Sequence, residues 1–357
     1  MPTVSVLMPV RNAQRFVGEA VKSILRQTFH DFELIVVDDG SDDETAPIVE
    51  TYARIDSRVC LLRQSSSGLI PALITAQTAA KGQYIARMDG DDIAHPNRFE
   101  EQLNFLSRNS NVVAVGGQVH IIDQDNNIVR TGRYPLTPLE CRSYLDFGSP
   151  FCHPATMIRK ASFDEVNGYR SWFQRAEDYV LWLRLAKIGD LANLDRVVLK
   201  LRVHGTNTST LNAAANAGAV AMALTESRFG SESIANAVRL PNDSPWPQRE
   251  ARIHSRHREF ARTTYLRALI LNSGITAEPD GHQLLLDSIP AILRGSPPQN
   301  RKPMLAFMLL RAALQYYRKG KFLSCFRVMT AALVHAPIET ITEIIASLKR
   351  RARTLSH

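Results

Sequence analysis

The sequence lacks an apolar run long enough to span a bilayer. The closest approach, Met304 to Leu314, is interrupted by Arg311, whereas a spanning helix needs about 20 mostly apolar residues. The opening residues, Met1-Pro2-Thr3-Val4-Ser5-Val6-Leu7-Met8-Pro9, carry no basic stretch and too short an apolar run for an export signal. Neither export nor a spanning helix is expected. Cysteine is sparse. Cys60, Cys141, Cys152 and Cys325 have no metal-ligand spacing. Cys60 and Cys325 sit among apolar neighbours, and buried free thiols in a reducing cytoplasm are the expectation. Glycine-rich phosphate loops are missing as well. The turn Pro9-Val10-Arg11-Asn12-Ala13-Gln14 holds no Gly-x-Gly-x-x-Gly, which argues against a dinucleotide-dependent oxidoreductase, and no Walker loop with Lys-Ser or Lys-Thr occurs. There is no nucleic-acid-binding motif and no interleaving of aromatics with basic residues, so no nucleic-acid partner is expected.

The chain has 357 residues, enough for two domains or for one large domain with an extension. Its 45% hydrophobic and 22% charged content is that of a globular protein. The net charge of +8 is uneven: 23 basic residues stand against 25 acidic ones up to His204, and 20 against 10 after it. A near-neutral body with a basic tail suits an anionic surface as partner, although a solvated basic helical face gives the same count.

The chemistry concentrates in Gln83-Tyr84-Ile85-Ala86-Arg87-Met88-Asp89-Gly90-Asp91-Asp92. Tyr84 to Met88 reads as a short buried strand running into three carboxylates. Crowded carboxylates raise one another's pKa unless a cation sits between them. Oxygen ligands of this kind suit Mg²⁺ or Mn²⁺. The residues therefore point to a divalent metal site that holds a diphosphate, with the plainer alternative that the aspartates, Asp92 in particular, only cap the following helix.

Strands and helices alternate before this loop. Val4–Met8 is an apolar strand stopped by Pro9, and Asn12 can cap a helix with apolar positions Phe16, Val17, Ala20, Val21, Ile24 and Leu25. Phe32–Val37 is a second strand, ending in Asp38-Asp39-Gly40-Ser41. Ser41 and Glu44 have capping-box spacing for a helix from about Asp42 to Arg54. Val59–Leu62 and a helix from Gly68 to Ala80, imperfect at Pro71, complete the series. This alternation predicts an α/β fold with a parallel sheet between helices, and ligands at the carboxyl ends of its strands. Further on, Pro96 opens a helix to about Asn109. Val112–Val115 and Val119–Ile122 read as strands, the second in a hairpin around Asp125-Asn126-Asn127. Residues 131–150 read as a Pro- and Gly-rich loop over the site, and Ala155–Ile158 as a strand. Glu177 and Asp178 open an amphipathic helix, a place the helix dipole favours for acids in any case. Val197–Val203 is a strand ending in His204-Gly205, where a histidine is more often structural than a ligand.

Together these pieces resemble the family 2 glycosyltransferases, which have the GT-A fold and use nucleotide-sugar donors. The matching segments are Ser5-Val6-Leu7-Met8-Pro9-Val10-Arg11-Asn12, Gln27-Thr28-Phe29, Glu33 to Asp43, and Lys81-Gly82 with Tyr84 to Ile93, Pro96 and Arg98. They continue with His153-Pro154-Ala155-Thr156, Gly168-Tyr169-Arg170, Glu177-Asp178-Tyr179 and Arg202-Val203-His204-Gly205. The resemblance spans residues 3–205. It implies that Asp39 accepts a hydrogen bond from the nucleotide base, usually uracil, that Asp89 touches ribose or metal, and that Asp91 is the metal ligand bridging to the diphosphate. Asp178 would be the catalytic base of an inverting transfer, with Glu177 contacting the acceptor or supporting Asp178. His204 matches a position that approaches metal or pyrophosphate in some relatives. Pro9, Arg87 and His153 fall among the implied substrate contacts. The family's Asn-x-Gly and later Leu-Asn have no counterpart in Ser65-Ser66-Ser67-Gly68-Leu69-Ile70-Pro71-Ala72-Leu73-Ile74, a segment near the donor.

The expected organisation is a GT-A catalytic domain over 1–205, a Rossmann-like, mostly parallel sheet flanked by helices, and a helical C-terminal extension over 206–357. Helices are expected at Ala213–Phe229 and Arg249–Leu271, with breaks at Leu240-Pro241-Asn242-Asp243-Ser244-Pro245-Trp246-Pro247 and Gly295-Ser296-Pro297-Pro298. A helical hairpin of about Met304–Arg318 and Phe322–His335 resembles the tetratricopeptide kind. The extension is either a helical cap on the catalytic core or a peripheral contact with an anionic membrane face or an assembly partner. The function expected from the resemblance is sugar transfer from a nucleotide-sugar, a UDP-sugar first of all, to a saccharide acceptor that can be lipid-linked, in cell-envelope polysaccharide or glycolipid synthesis. The setting is cytoplasmic, at or near the inner membrane face. The alternatives are a polyprenyl-phosphate sugar transferase, which has no need of Asp178 as base, and a catalytically inactive binding protein on the same fold.

Overall fold

The computed structural model describes residues 1–146, 148–170, 176–204, 213–238, 246–258, 260–261, 264–265, 309, 312–313 and 322–335. The chain divides into two compact units, Met1–Asn207 and Thr208–His357.

In the first unit, nine strands form one sheet: β1 (Val4–Val10), β2 (Phe32–Asp39), β3 (Val59–Gln64), β4 (Tyr84–Arg87), β5 (Ile93–Ala94), β6 (Val112–Ile122), β7 (Ile128–Gly132), β8 (Met157–Arg159) and β9 (Asp190–Arg202). Their order is β3-β2-β1-β4-β8-β6-β9-β5, with β7 paired to β6. The pairings among β1 to β4, and that of β6 with β9, are parallel. Only β5, β7 and β8 run against the rest, so the sheet is mostly parallel. Parallel strands buried on both faces read as continuous apolar runs, and every residue of β1 is buried. The flanking helices are α1 (Val17–Leu25), α2 (Thr45–Ile55), α3 (Leu69–Ala79), α4 (Arg98–Arg108), α5 (Pro138–Tyr144), α6 (Lys160–Glu165) and α7 (Glu177–Leu185). The face of α1 that carries Val17, Ala20, Val21 and Ile24 is buried. It joins a core with Val6, Met8, Val36 and Phe99.

Several boundaries depart from the sequence reading for local physical reasons. Pro9 does not stop β1, which continues to Val10 opposite Val37 and Asp38 of β2. Leu7 bonds toward β4 through its carbonyl, 3.1 Å from Met88 N, and pairing with β4 ends at that residue. Two residues later Pro9 turns its missing N–H to the same side, where no ladder partner remains. Asn12 is not the cap of α1. It stands in the left-handed region at φ 48°, and its Oδ1 accepts the Asp42 N–H at 3.1 Å. Ser41 forms no capping box, because its Oγ accepts the Asn12 N–H at 3.0 Å. At the start of α2, Asp43 Oδ1 accepts the Thr45 N–H at 2.9 Å instead. Pro71 is the third residue of α3, where no intrahelical N–H bond is due. The two short strands expected at 112–115 and 119–122 are one strand, β6, crossing Gly116 and Gly117. A methyl built on Gly116 would lie 2.2 Å from Asn193 Oδ1, so the pair marks close packing rather than a break. The expected loop over 131–150 contains α5, opened by a capping box of Thr137 and Glu140. Cys60 is exposed and Cys325 half-buried, contrary to expectation, while Cys141 and Cys152 are buried; Cys60 lies on outermost β3.

In the second unit, Ala213–Phe229 is helical as expected, and Trp246–Arg252 and Phe322–His335 are helices. The single helix expected over Arg249–Leu271 is broken. His254 is extended, at φ −54° and ψ 133°, ahead of a 3-10 turn at Ser255–His257. Most of the remainder of that helix, most of the Leu240–Pro247 break, Gly295–Pro298 and most of Met304–Arg318 lie outside the described residues.

Candidate active site

The carboxyl ends of β1, β2 and β4 lie side by side, and each is followed by polar residues. β4 delivers Asp89, Gly90, Asp91 and Asp92. The loop rests on the end of β1, since a methyl added to Gly90 would come within 2.6 Å of Val10 Cγ1. Carboxylate oxygens of Asp89, Asp91 and Asp92 lie within 4.8 Å of one another. Burial, and then the charge of Asp89, raise the pKa of Asp91. Burial, and then Asp89 and Asp91, push that of Asp92 well above the carboxylate range. One buried Asp92 oxygen, Oδ2, has no hydrogen-bond partner among the described residues. Three hard oxygen donors, mutually repelling and incompletely satisfied, fit Mg²⁺ or Mn²⁺, whose charge removes the repulsion.

The end of β9 locks this loop. Arg202 N–H donates to Asp92 Oδ1 at 2.8 Å, and Arg202 Nε to the Asp91 carbonyl at 2.8 Å. Nη2 of Arg202 meets Glu19 Oε2 at 2.8 Å, and the guanidinium lies over the Phe16 ring at 4.5 Å. Two residues on, His204 Nε2 is 2.9 Å from Asp91 Oδ2. The structure thus brings Asp89, Asp91 and His204 together and adds Asp92. Asp92 caps no helix, since the residue before α4 is Asn97.

A second acidic pair opens α7. Burial, and then the neighbouring Asp178 charge, push Glu177 up to about 7. Burial likewise raises Asp178, against hydrogen bonds from the helix's first amides and the pull of Arg87 and Trp182. The Tyr179 N–H donates to Asp178 Oδ1 at 2.7 Å. Arg87 links the two acidic groups. It is 2% exposed, and its Nη2 donates to Asp89 Oδ1 at 2.6 Å. Its charge also lowers the pKa of Asp92, Glu177 and Asp178. Nε and Nη1 of Arg87 are buried without partners among the described residues, so the site holds donors for a substrate oxygen. His153 opens a 3-10 turn at His153–Ala155. Burial and the Arg87 charge hold it well below its usual pKa, and therefore neutral. Its Nε2 is 2.7 Å from Tyr169 Oη.

Asp39 stands apart, at the end of β2. Its oxygens accept Gln64 Nε2, Ser67 N–H and Gly68 N–H, each at 2.8 Å. An ionised carboxylate has about four acceptor positions, so one more donor can be accommodated. Gln64 is oriented by Thr75 Oγ1, which donates to its Oε1 at 2.7 Å. Pro9 is buried beside these strand ends. Sequence reasoning assigned no role to Gln64, Arg202 or Trp182. Of these, only Arg202 carried a signal, its place in Arg-Val-His-Gly.

A model of the glycosyl transferase family 2 matches residues 5–167. A Haemophilus influenzae protein described as an uncharacterized glycosyltransferase is 32% identical over 222 residues, 59% of this chain and 68% of its own length. The putative glycosyltransferase EpsE of Bacillus subtilis is 35% identical over 206 residues, 56% and 73% of the two chains. The O-antigen biosynthesis glycosyltransferase WbnJ of Escherichia coli is 34% identical over 209 residues, 57% and 81%. Among solved structures, Staphylococcus aureus TarS superposes with a TM-score of 0.56 at 16% identity, covering 92% of this chain and 54% of that one. Its 1–349 portion, in complex with UDP-GlcNAc, gives 0.53 at 18% identity, covering 92% and 90%.

Proposed function

The chain belongs to glycosyltransferase family 2, and from that premise we propose that it is an inverting, metal-dependent transferase moving a sugar from a UDP-sugar to a hydroxyl of a saccharide acceptor. Its fold is the GT-A fold. The observation that carries the reading is the pairing of two acidic groups of different kinds around one buried cation. One is the triad Asp89, Asp91 and Asp92, and the other is buried Glu177 beside half-buried Asp178, with Arg87 between them.

In this reading Asp89, Asp91 and Asp92 hold Mg²⁺ or Mn²⁺, with His204 against Asp91. The bound ion supplies Lewis-acid neutralisation of the departing nucleoside diphosphate. Asp39 accepts a base N–H in its remaining acceptor position. Pro9 flanks the donor, and the unpartnered N–H groups of Arg87 bind a donor oxygen. His153, neutral and tied to Tyr169, shapes the pocket beside them. Asp178 takes the proton from the acceptor hydroxyl as that oxygen bonds to the anomeric carbon. The bond from the anomeric carbon to the diphosphate oxygen breaks, and the configuration inverts. Glu177, which burial holds partly protonated near neutral pH, positions the acceptor and keeps a second full negative charge off the base. The choice of uridine is supported by TarS, of like fold, which was captured with UDP-GlcNAc. The setting, a cell-envelope saccharide that can be lipid-linked, follows relatives such as WbnJ. The basic residues after His204 provide peripheral contact with the anionic cytoplasmic membrane face.

The test is product stereochemistry. Incubation with UDP-glucose, UDP-galactose or UDP-GlcNAc and Mn²⁺, with water as the fallback acceptor, should release UDP from one of them. Proton NMR should then show the β anomer formed first. First formation of the α anomer contradicts the inverting reading, and UDP release from none of the three contradicts the donor class.

A further inference from the structure

Trp182 is fully buried, and its Nε1 has no hydrogen-bond partner among the described residues. A buried indole N–H ordinarily finds an acceptor. The unmet donor stands one helical turn after Asp178 on α7. Residues four apart share a helix face, so Trp182 stands on the face of α7 that carries Asp178. The ring is packed on its sides. Phe151 meets it edge-on at 4.9 Å and His153 at 5.9 Å, and His153 is itself tethered to Tyr169. Asp178 Oδ1 is occupied by the Tyr179 N–H. We propose that Trp182 is a positioning residue for Asp178: its caged indole N–H fixes the carboxylate so that one oxygen is left to receive the acceptor proton.

The inference rests on the reading of Asp178 as the base. Catalytic hydrogen bonds are often loose before substrate arrives and tighten in the reacting complex, which accounts for an indole N–H that is unpaired here. The electrostatic surroundings agree. Trp182 stands near enough to Asp178 to favour the ionised carboxylate, together with Arg87 and the first-turn amides, although its Nε1 does not reach hydrogen-bond geometry with that carboxylate. The other charged and titratable groups that sense Asp178 are Glu177 on the same helix and Tyr169 before it. His153, from the turn at its back, is neutral. Burial is what raises the carboxylate, and an N–H donor is what a tryptophan offers there and a phenylalanine does not.

The test compares the parent, Trp182→Phe and Asp178→Asn. The ¹³C-carboxyl signal of Asp178, identified by its loss in Asp178→Asn, is titrated in the first two. Folding is checked by circular dichroism. Where Trp182→Phe does not fold, residue 182 is replaced by benzothienylalanine, which keeps the bicyclic shape and lacks the N–H. The proposal predicts that loss of the N–H moves the Asp178 midpoint upward by at least half a pH unit. It also predicts that kcat for UDP release from UDP-sugar falls about tenfold while KM stays within twofold. An unchanged midpoint in a folded variant overturns the positioning role. Full turnover by Asp178→Asn instead removes the base assignment, a failure read on a different protein and so distinguishable from the first.

Discussion

At the residue scale, the account divides labour between two acidic groups whose environments differ. Asp178→Asn removes the proposed proton acceptor and leaves the triad intact. Nucleotide affinity, measured by calorimetry, should stay within twofold, while turnover falls by about 10²- to 10⁴-fold, the usual worth of a positioned base. Glu177 yields a pH prediction with a definite sign. Its folded pKa of about 7 lies above the ordinary glutamate value, so the folded state holds a proton that the unfolded chain has lost. Stability from this group is complete below about pH 4.3 and is lost as the pH rises to about 7, in total about 4 kcal/mol. Glu177→Gln should flatten that fall, read as the urea midpoint from pH 5 to 8. A variant that tracks the parent across the range would exclude Glu177 as the titrating group. The aspartates themselves were legible in the sequence, because an apolar run ending in Asp-Gly-Asp-Asp places its acids by chain geometry alone. The partners of Asp92 were not, because they come from a strand 110 residues away.

At the scale of elements, the alternation of strand and helix through Arg87 was readable, and the errors lie where a breaker residue serves close packing or a side chain bonds across the chain. Pro9 and the Gly116-Gly117 pair read as stops and are not. Asn12 and Ser41 read as caps, but they bond to each other's segments. The Thr137-x-x-Glu140 capping box was present in the sequence, yet surrounding prolines and glycines masked it. The close approach of the β2 end to the loop over Asp39 makes a further prediction. Gly40 has φ 66°, and an added methyl would lie 2.7 Å from Ser66 N. Gly40→Ala must pay for the left-handed backbone, about 1–2 kcal/mol, and must also displace the loop whose amides hold Asp39. The urea midpoint should fall, and uridine-nucleotide affinity should fall with it. Undiminished affinity would show that the loop over Asp39 plays no part in binding the base.

At the scale of the whole molecule, no helix among the described residues is long and apolar enough to cross a membrane, and positive charge is concentrated after His204. The proposed peripheral contact therefore predicts co-sedimentation with vesicles containing anionic lipid at 0.1 M salt and release at 1 M, where the screening length drops from about 10 Å to about 3 Å. Equal retention at both salts would rule out an electrostatic contact. The second unit was the least legible part, because helical periodicity marks helices such as Ala213–Phe229 but carries no chemistry. The central claim, that the Asp89-Gly90-Asp91-Asp92 loop holds a metal and through it a nucleotide diphosphate, is tested most directly by thermal denaturation with UDP. The parent and Asp91→Ala are each melted with Mn²⁺ and with EDTA. At about 100 times its dissociation constant a ligand adds about 2.7 kcal/mol to the folded state. The account predicts a raised Tm for the parent with UDP and Mn²⁺, and no shift with EDTA or in Asp91→Ala. A shift that survives both EDTA and the substitution would place the nucleotide elsewhere and contradict the account.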